Sequence, residues 1–138
     1  MKETVVTQHL VQNIDLNHHK TLFAGRSAEW LIETAFITAS SILPADFIVA
    51  SRIQEVCYLA PVYVGSILKY EGHIVYAGKT SLMVYVSGEA QGKKAIEGFI
   101  TFVHIGEDGH AVPHGITFEA ETEEEKALQE RAKKLLSC

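Results

Sequence analysis

Cysteine is scarce. The 138 residues hold two, Cys57 inside an apolar run and Cys138 at the end, with no motif spacing between them. That argues against a disulfide framework and suits reduced thiols in a cytoplasmic protein. Long apolar runs are missing too: no stretch approaches the roughly 18 consecutive apolar residues that a membrane helix needs. The opening MKETVVTQHL lacks the apolar core of a secretory leader. The expectation is a cytoplasmic protein with no membrane partner. A basic excess is also absent. Twelve Lys and Arg against 17 Asp and Glu, with a net charge of -5 and a pI near 5.8, leave no broad basic face for nucleic acid. Much of the acidic surplus sits in EAETEEEK, residues 119–126, so a small basic patch for an anionic ligand stays compatible.

What is present is apolar content: 47% hydrophobic residues and a mean hydropathy of +0.09. The length fits a single domain, residues 1–138, that buries about two-thirds of its unfolded surface. Such a balance in so small a chain points to apolar surface covered by another subunit.

Along the chain, TVVTQHLVQ (4–12) reads as a strand and NIDLNHHKTLFAG (13–25) as a loop ending in glycine. From Arg26 to Leu43, Ala28, Leu31, Ile32, Ala35, Ala39 and Ile42 recur at three- and four-residue steps, the mark of a buried helical face. Ser27 is the expected cap and Pro44 the stop. Trp30, Phe36 and Ile37 lie off that stripe, so the helix is apolar around most of its girdle and is expected to be enclosed. Four strand-like runs follow, separated by turn signals at 64–66, 77–79, 91–93 and 107–109. Short turns between them imply antiparallel neighbours. ETEEEKALQERAKKLL (121–136) reads as a peripheral C-terminal helix with its acids leading and bases trailing. The sum is an α+β fold in which a curved antiparallel sheet of five to six strands wraps one long central helix.

Several local features then line up. Asn17 lies in the loop, TLFAG occupies residues 21–25, and Glu33 follows one to two turns into the helix. RIQEVCYLAPVYVGSIL carries a proline and a Val64-Gly65-Ser66 turn, and GKTSLMVYV opens on Gly78. In this order and spacing, from about residue 4 to 112, the sequence resembles the hot-dog-fold acyl-CoA thioesterases, their cytosolic acyl-CoA hydrolase branch in particular. Two positions depart from that pattern. The glycine pair is Ala24-Gly25, and many relatives place the acid where Ile32 stands, one residue before Glu33. That step is about 100° of helix rotation.

Thioester hydrolysis needs a group that activates water or attacks the carbonyl, and donors for the developing oxyanion. A helix start supplies unpaired N–H groups and a positive dipole end, so the N–H of Gly25 or Arg26 is the candidate donor. Glu33, expected to be partly desolvated between Trp30, Ile37 and the sheet, is the candidate general base, or the nucleophile of a transient anhydride. Glu29, one turn earlier, reads as a partner of Arg26. Asn17 matches the family's loop asparagine, which the resemblance implies faces the acid across a dimer interface. His19 or His18 is a candidate for orienting the carbonyl or the acid. Adjacent histidines lack metal-ligand spacing, and no metal is expected. For the substrate, Phe23 in the turn, Arg52 and the Lys79-Thr80-Ser81 turn are candidates, the last two for CoA phosphates. His9, His73, His104 and Cys57 read as structural.

The expected activity is hydrolysis of an acyl-CoA to a free acid and CoA, with CoA as part of the substrate and no cofactor. The resemblance implies a homodimer as the minimal unit and a trimer of dimers as the larger assembly. Two alternatives stay open: a hot-dog module that binds acyl-CoA without turning it over, and a dehydratase on the same fold.

Overall fold

The structure is a computed structural model, and it describes residues 4–136. Cys138 lies outside the described residues. Five strands form one antiparallel sheet: β1 (Val5–Leu10), β2 (Ile48–Tyr58), β3 (Ile67–Ala77), β4 (Ser81–Ala90) and β5 (Lys93–His104). Their spatial order is β1-β3-β4-β5-β2, so β1 and β2 are the two edges. The hairpins β3–β4 and β4–β5 turn at the expected glycines, and β2 closes the far side by pairing with β5.

Strand alternation sorts the side chains to two faces. On one face Leu68, Tyr70, Leu82, Val84, Val86, Ile96 and Ile100 meet the central helix α1 (Ala24–Ser40). The helix turns Leu31, Thr34, Ala35, Thr38 and Ala39 inward, small and medium side chains that let it lie close to the sheet. At Gly98 a Cβ would come within 2.7 Å of the Glu55 carbonyl and 3.3 Å of Leu31, so only glycine admits this approach.

The helix differs at both ends from the sequence expectation. It begins two residues early, with extended Phe23 as its N-cap, and Ser27 sits inside the first turn with its hydroxyl donating to the Ala24 carbonyl at 3.0 Å. It ends at Ser40 rather than Leu43, because the Ser41 hydroxyl donates to the Thr38 carbonyl at 2.6 Å and draws off a last-turn acceptor.

The second helix, α2 (Glu123–Leu136), has a larger part than the periphery assigned to it. It lies on the opposite face of the sheet, where fully buried Ala132 packs with Val75, Met83, Tyr85 and Phe99. Arg131 pins it down. Its guanidinium donates to both carboxylate oxygens of Glu97, at 3.0 and 3.4 Å, and stands 5.0 Å from the Phe99 ring centre. The sheet is therefore covered by a helix on each face.

Candidate active site

The site grows from the loop that leads into α1. Residues 13–15 form a single tight turn, in which the buried carboxylate of Asp15 accepts from the Gln12 N–H at 2.9 Å and lies 3.7 Å from Arg26 Nε. The Phe23 N–H donates to the Asp15 carbonyl at 2.8 Å, and the Leu22 N–H to the Val62 carbonyl at 2.7 Å. These bonds set the angle at which the chain enters the helix. Between them Asn17 organises residues 17–21. Its Oδ1 accepts from the N–H groups of His19 at 2.8 Å and Thr21 at 3.2 Å, while Nδ2 donates to the Thr21 hydroxyl at 3.0 Å.

Against this loop the first turn of α1 opens onto a cleft of about 350 Å³. Asn17, Ala24 and Ser27 form its polar end, and Leu22, Val62, Leu68 and Ile96 its apolar wall. Among the described residues nothing accepts from the N–H groups of Ala24 and Gly25, whereas the N–H groups of Arg26 and Ser27 both donate to the Phe23 carbonyl. Of the two donors expected, Gly25 therefore keeps its N–H available and Arg26 does not. The space that a Cβ at Gly25 would need is taken by the Phe23 ring, 2.7 Å away at its nearest atom. Glycine here admits that aromatic lid, itself largely exposed, rather than leaving the backbone bare.

Two tyrosines brace the same turn. Tyr58, from the end of β2, donates its hydroxyl to the Ala24 carbonyl at 2.8 Å, and Tyr70, from β3, donates to the Ser27 carbonyl at 2.7 Å. Burial pushes the Tyr70 phenol well above its ordinary value, so it remains a donor at any physiological pH. Neither bond is visible in the strand pattern, which marks both tyrosines only as alternating members of a strand. Asp15 carried no signal either, as a lone acid in a loop.

The remaining candidates do not gather in one chain. Glu33 lies about 13 Å beyond Ala24 along the helix axis. It is exposed rather than desolvated, and nothing pairs with it among the described residues. The helix turn carries it toward the β1 side, where Trp30 stacks on His9 with ring centres 4.3 Å apart and planes 5° apart. His9 reads from the sequence as structural, yet its Nε2 is buried with no hydrogen-bond partner among the described residues. Burial lowers its pKa, and the charges of Glu33 and Asp15 oppose that shift. Glu29 stands 3.9 Å from Arg26 Nε, as expected. His19 is exposed, its ring 3.9 Å from that of His18 and outside the cleft.

Lys79, Thr80 and Ser81 turn at the opposite end of the sheet. Ser81 pairs with Val103, whereas the cleft lies beside Ile96, seven residues away on β5, or roughly 24 Å. The backbone of that turn is engaged by the last residue of β5 and by the segment after it. His104 N–H donates to the Thr80 carbonyl at 2.7 Å, and His114 Nε2 to the Ser81 carbonyl at 2.9 Å. Arg52 is exposed on the β2 edge. No group of three or more metal-binding side chains forms among the described residues, and no helix among them is long and apolar enough to cross a membrane.

Known proteins resemble this arrangement closely. The acyl-CoA thioester hydrolase YkhA of Bacillus subtilis (strain 168), itself uncharacterized, is 29% identical, across 93% of this chain and 77% of its own. The crystal structure of an apo-hexameric acyl-CoA thioesterase superposes with a TM-score of 0.88 at 30% identity, covering 97% of this chain and 88% of that one. The acyl-CoA hydrolase of Staphylococcus aureus, solved with butyryl-CoA, CoA and CoA disulfide, superposes at 0.86 with 27% identity over 97% and 82% of the two chains. The model of the thioesterase superfamily matches residues 19–96, more than half the chain and the whole span from the Asn17–Thr21 loop's second half to the floor of the cleft. With its five-stranded antiparallel sheet and its long helix laid along one face, the chain belongs to the thioesterase superfamily.

Proposed function

We propose that the protein is an acyl-CoA thioesterase whose site is completed by a second copy of the chain. The observation that carries this reading is the cleft at the start of α1. It joins an apolar wall to the Asn17 amide and to Ala24, whose backbone N–H, like that of the adjacent Gly25, has no acceptor among the described residues. An acyl thioester has the same polarity, a hydrocarbon tail and one carbonyl.

In the proposed reaction the carbonyl oxygen points to the Gly25 N–H, with Asn17 Nδ2 beside it. Both are aimed where negative charge develops, at the positive end of the helix dipole. Water attacks the carbonyl carbon, its proton passes to a carboxylate, and the C–S bond breaks to release CoA. Glu33 is the proposed carboxylate, as general base or as the nucleophile of an anhydride. It cannot serve its own cleft, because it sits two and a half turns up the helix and faces away. Pairing of two β2 edges is the proposed dimer contact, and because Glu33 is turned toward the β1 edge, the copy it serves is one that meets the molecule from that side. The β2 edge is eleven residues long and exposes Val49, Ile53 and Tyr58, the kind of open apolar edge that recruits a second strand. Antiparallel pairing sets the 79–81 end of one copy at the same end of the joined sheet as the cleft of the other. Arg52, Lys79, Thr80 and Ser81 are then proposed to hold the nucleotide of CoA for the neighbouring subunit. His19 and Phe23 flank the entrance. The reaction uses water and needs no cofactor.

The outward position of Glu33 favours a second reading, a module that binds acyl-CoA without hydrolysis. Thiol release across a panel of acyl-CoAs, run beside Glu33→Ala, separates the two. Release that disappears in the variant supports the hydrolase. No release, with acyl-CoA still raising the Tm, supports the binding module.

A further inference from the structure

We propose that Tyr58 is a positioning residue for the oxyanion donor: its hydroxyl holds the Ala24–Gly25 peptide by the carbonyl, so that the N–H of the same peptide stays free and aimed at the substrate. The inference rests on the thioesterase reading and goes beyond it. A helix commonly secures its first turn through its N–H groups, from which the N-cap side chain accepts. An oxyanion hole cannot be secured in that way, because the capping oxygen would take the donors that the substrate needs. The N-cap of α1 is Phe23, which has no side-chain acceptor to offer, and no side-chain cap forms. The N–H groups of Ala24 and Gly25 have no acceptor among the described residues.

The first turn is fastened from its carbonyl side instead. A helix carbonyl ordinarily accepts one bond, from the N–H four residues on. The Ala24 carbonyl also accepts from the Tyr58 hydroxyl at 2.8 Å and from the Ser27 hydroxyl at 3.0 Å. This carbonyl and the Gly25 N–H belong to one planar peptide, so fixing the oxygen fixes the direction of the N–H. The same bonds polarise the amide and strengthen its N–H as a donor. Ser27 is part of the helix and moves with it, whereas Tyr58 comes from outside. Tyr58 ends β2, opposite Ile96 on β5, and the N–H groups of the next two residues, Leu59 and Ala60, both donate to the Ala95 carbonyl, at 2.8 and 3.3 Å. The ring is therefore rooted in the sheet and reaches across the cleft it lines to the helix, which gives the donor a fixed orientation relative to that cleft.

Tyr58→Phe deletes the bond and keeps the ring. Loss of a whole oxyanion donor typically lowers kcat about 10²–10³-fold. Here the donor stays but is held less firmly, so kcat for thiol release from butyryl-, octanoyl- or palmitoyl-CoA is expected to fall about tenfold. KM is expected within about twofold of wild type, because the donor acts mainly in the transition state. A second readout is the carbonyl stretch of a bound ketone analogue of octanoyl-CoA, with CH2 in place of sulfur. It is expected at a higher frequency in Tyr58→Phe than in wild type, a change that a merely structural brace would not produce. Ser27→Ala removes the other bond to the same carbonyl and is expected to move both readouts in the same direction, which serves if Tyr58→Phe does not fold. A folded variant with kcat within about threefold of wild type, or with the stretch unmoved, overturns the inference and leaves the hydrolase reading standing. No release by wild type from any of the three substrates overturns both.

Discussion

Asn17 has two possible duties, and they can be separated in one experiment. Its Oδ1 holds the loop by accepting from the His19 and Thr21 N–H groups, and its Nδ2, which donates to the Thr21 hydroxyl, is the donor proposed for the thioester in the cleft that Asn17 lines. Asn17→Ala removes both duties. A typical neutral hydrogen bond contributes about 0.5–1.5 kcal/mol, and this loop is half exposed, so the loss of three, the bond to the Thr21 hydroxyl included, is expected to cost about 1–2 kcal/mol. For a domain of this size that is a fall in Tm of about 3–8 °C. Asn17→Asp separates the duties. Its carboxylate accepts the same two N–H groups with charge assistance, so the loop stays in place and the Tm is expected within about 2 °C of wild type. The donor, however, is gone. Loss of one oxyanion donor typically lowers kcat about 10²–10³-fold, and both variants are expected to show it. Thiol release under saturating acyl-CoA measures kcat, and thermal unfolding measures the loop. An Asn17→Asp enzyme with kcat within about threefold of wild type would refute the donor role and leave Asn17 a turn residue.

Glu33→Ala is expected to lower kcat about 10²–10⁴-fold, the usual contribution of a positioned acid–base group. Because the side chain is exposed, the Tm should not move, and a well-folded variant with wild-type turnover would remove Glu33 from the mechanism. Mixing inactive Asn17→Ala and Glu33→Ala subunits should restore part of the activity after exchange, since each can lend the other its intact half-site; none after demonstrated exchange would argue against a shared site. Arg131→Ala removes the ion pair to Glu97 and the contact with the Phe99 ring, and is expected to lower stability by about 1–2 kcal/mol, read by urea unfolding. Burial alone would raise the Glu97 pKa, but hydrogen bonds from Tyr85 and Arg131 and the charges of Arg131 and Lys94 bring it below the ordinary 4.5. The unfolded chain then holds this proton more tightly than the native one. The stabilisation is present above pH 4.5 and is lost as pH falls through the native pKa, so Glu97→Gln should flatten the acid limb of the stability–pH curve.

Much of this protein was legible along the chain. The alternation of Leu82, Val84 and Val86 with Met83, Tyr85 and Ser87, the glycine turns and the run of inward residues on α1 are local signals, and each element they mark is present. Asn17 could be singled out by the order and spacing of its neighbours, and the cleft does bring it to the start of the helix. Contacts distant in sequence were not legible. Phe23, not Ser27, caps α1 because the Asp15 carbonyl and the Val62 carbonyl fix the chain on its way in. α2 lies flat on the sheet because Arg131 finds Glu97, 34 residues earlier in the chain. Tyr58 and Tyr70 reach the first turn from strands whose pattern says nothing of their hydroxyls. The same limit governs the site. Residue type and spacing nominated Asn17, Glu33 and Lys79, but distance assigns them to different places, since a helix advances about 1.5 Å per residue and a strand about 3.4 Å. Local pattern therefore determined the elements and the candidate chemistry. The packing of helix on sheet decided that the cleft and Glu33 lie apart within one chain, about 13 Å along the helix axis, and the proposal of a site shared between copies rests on that separation.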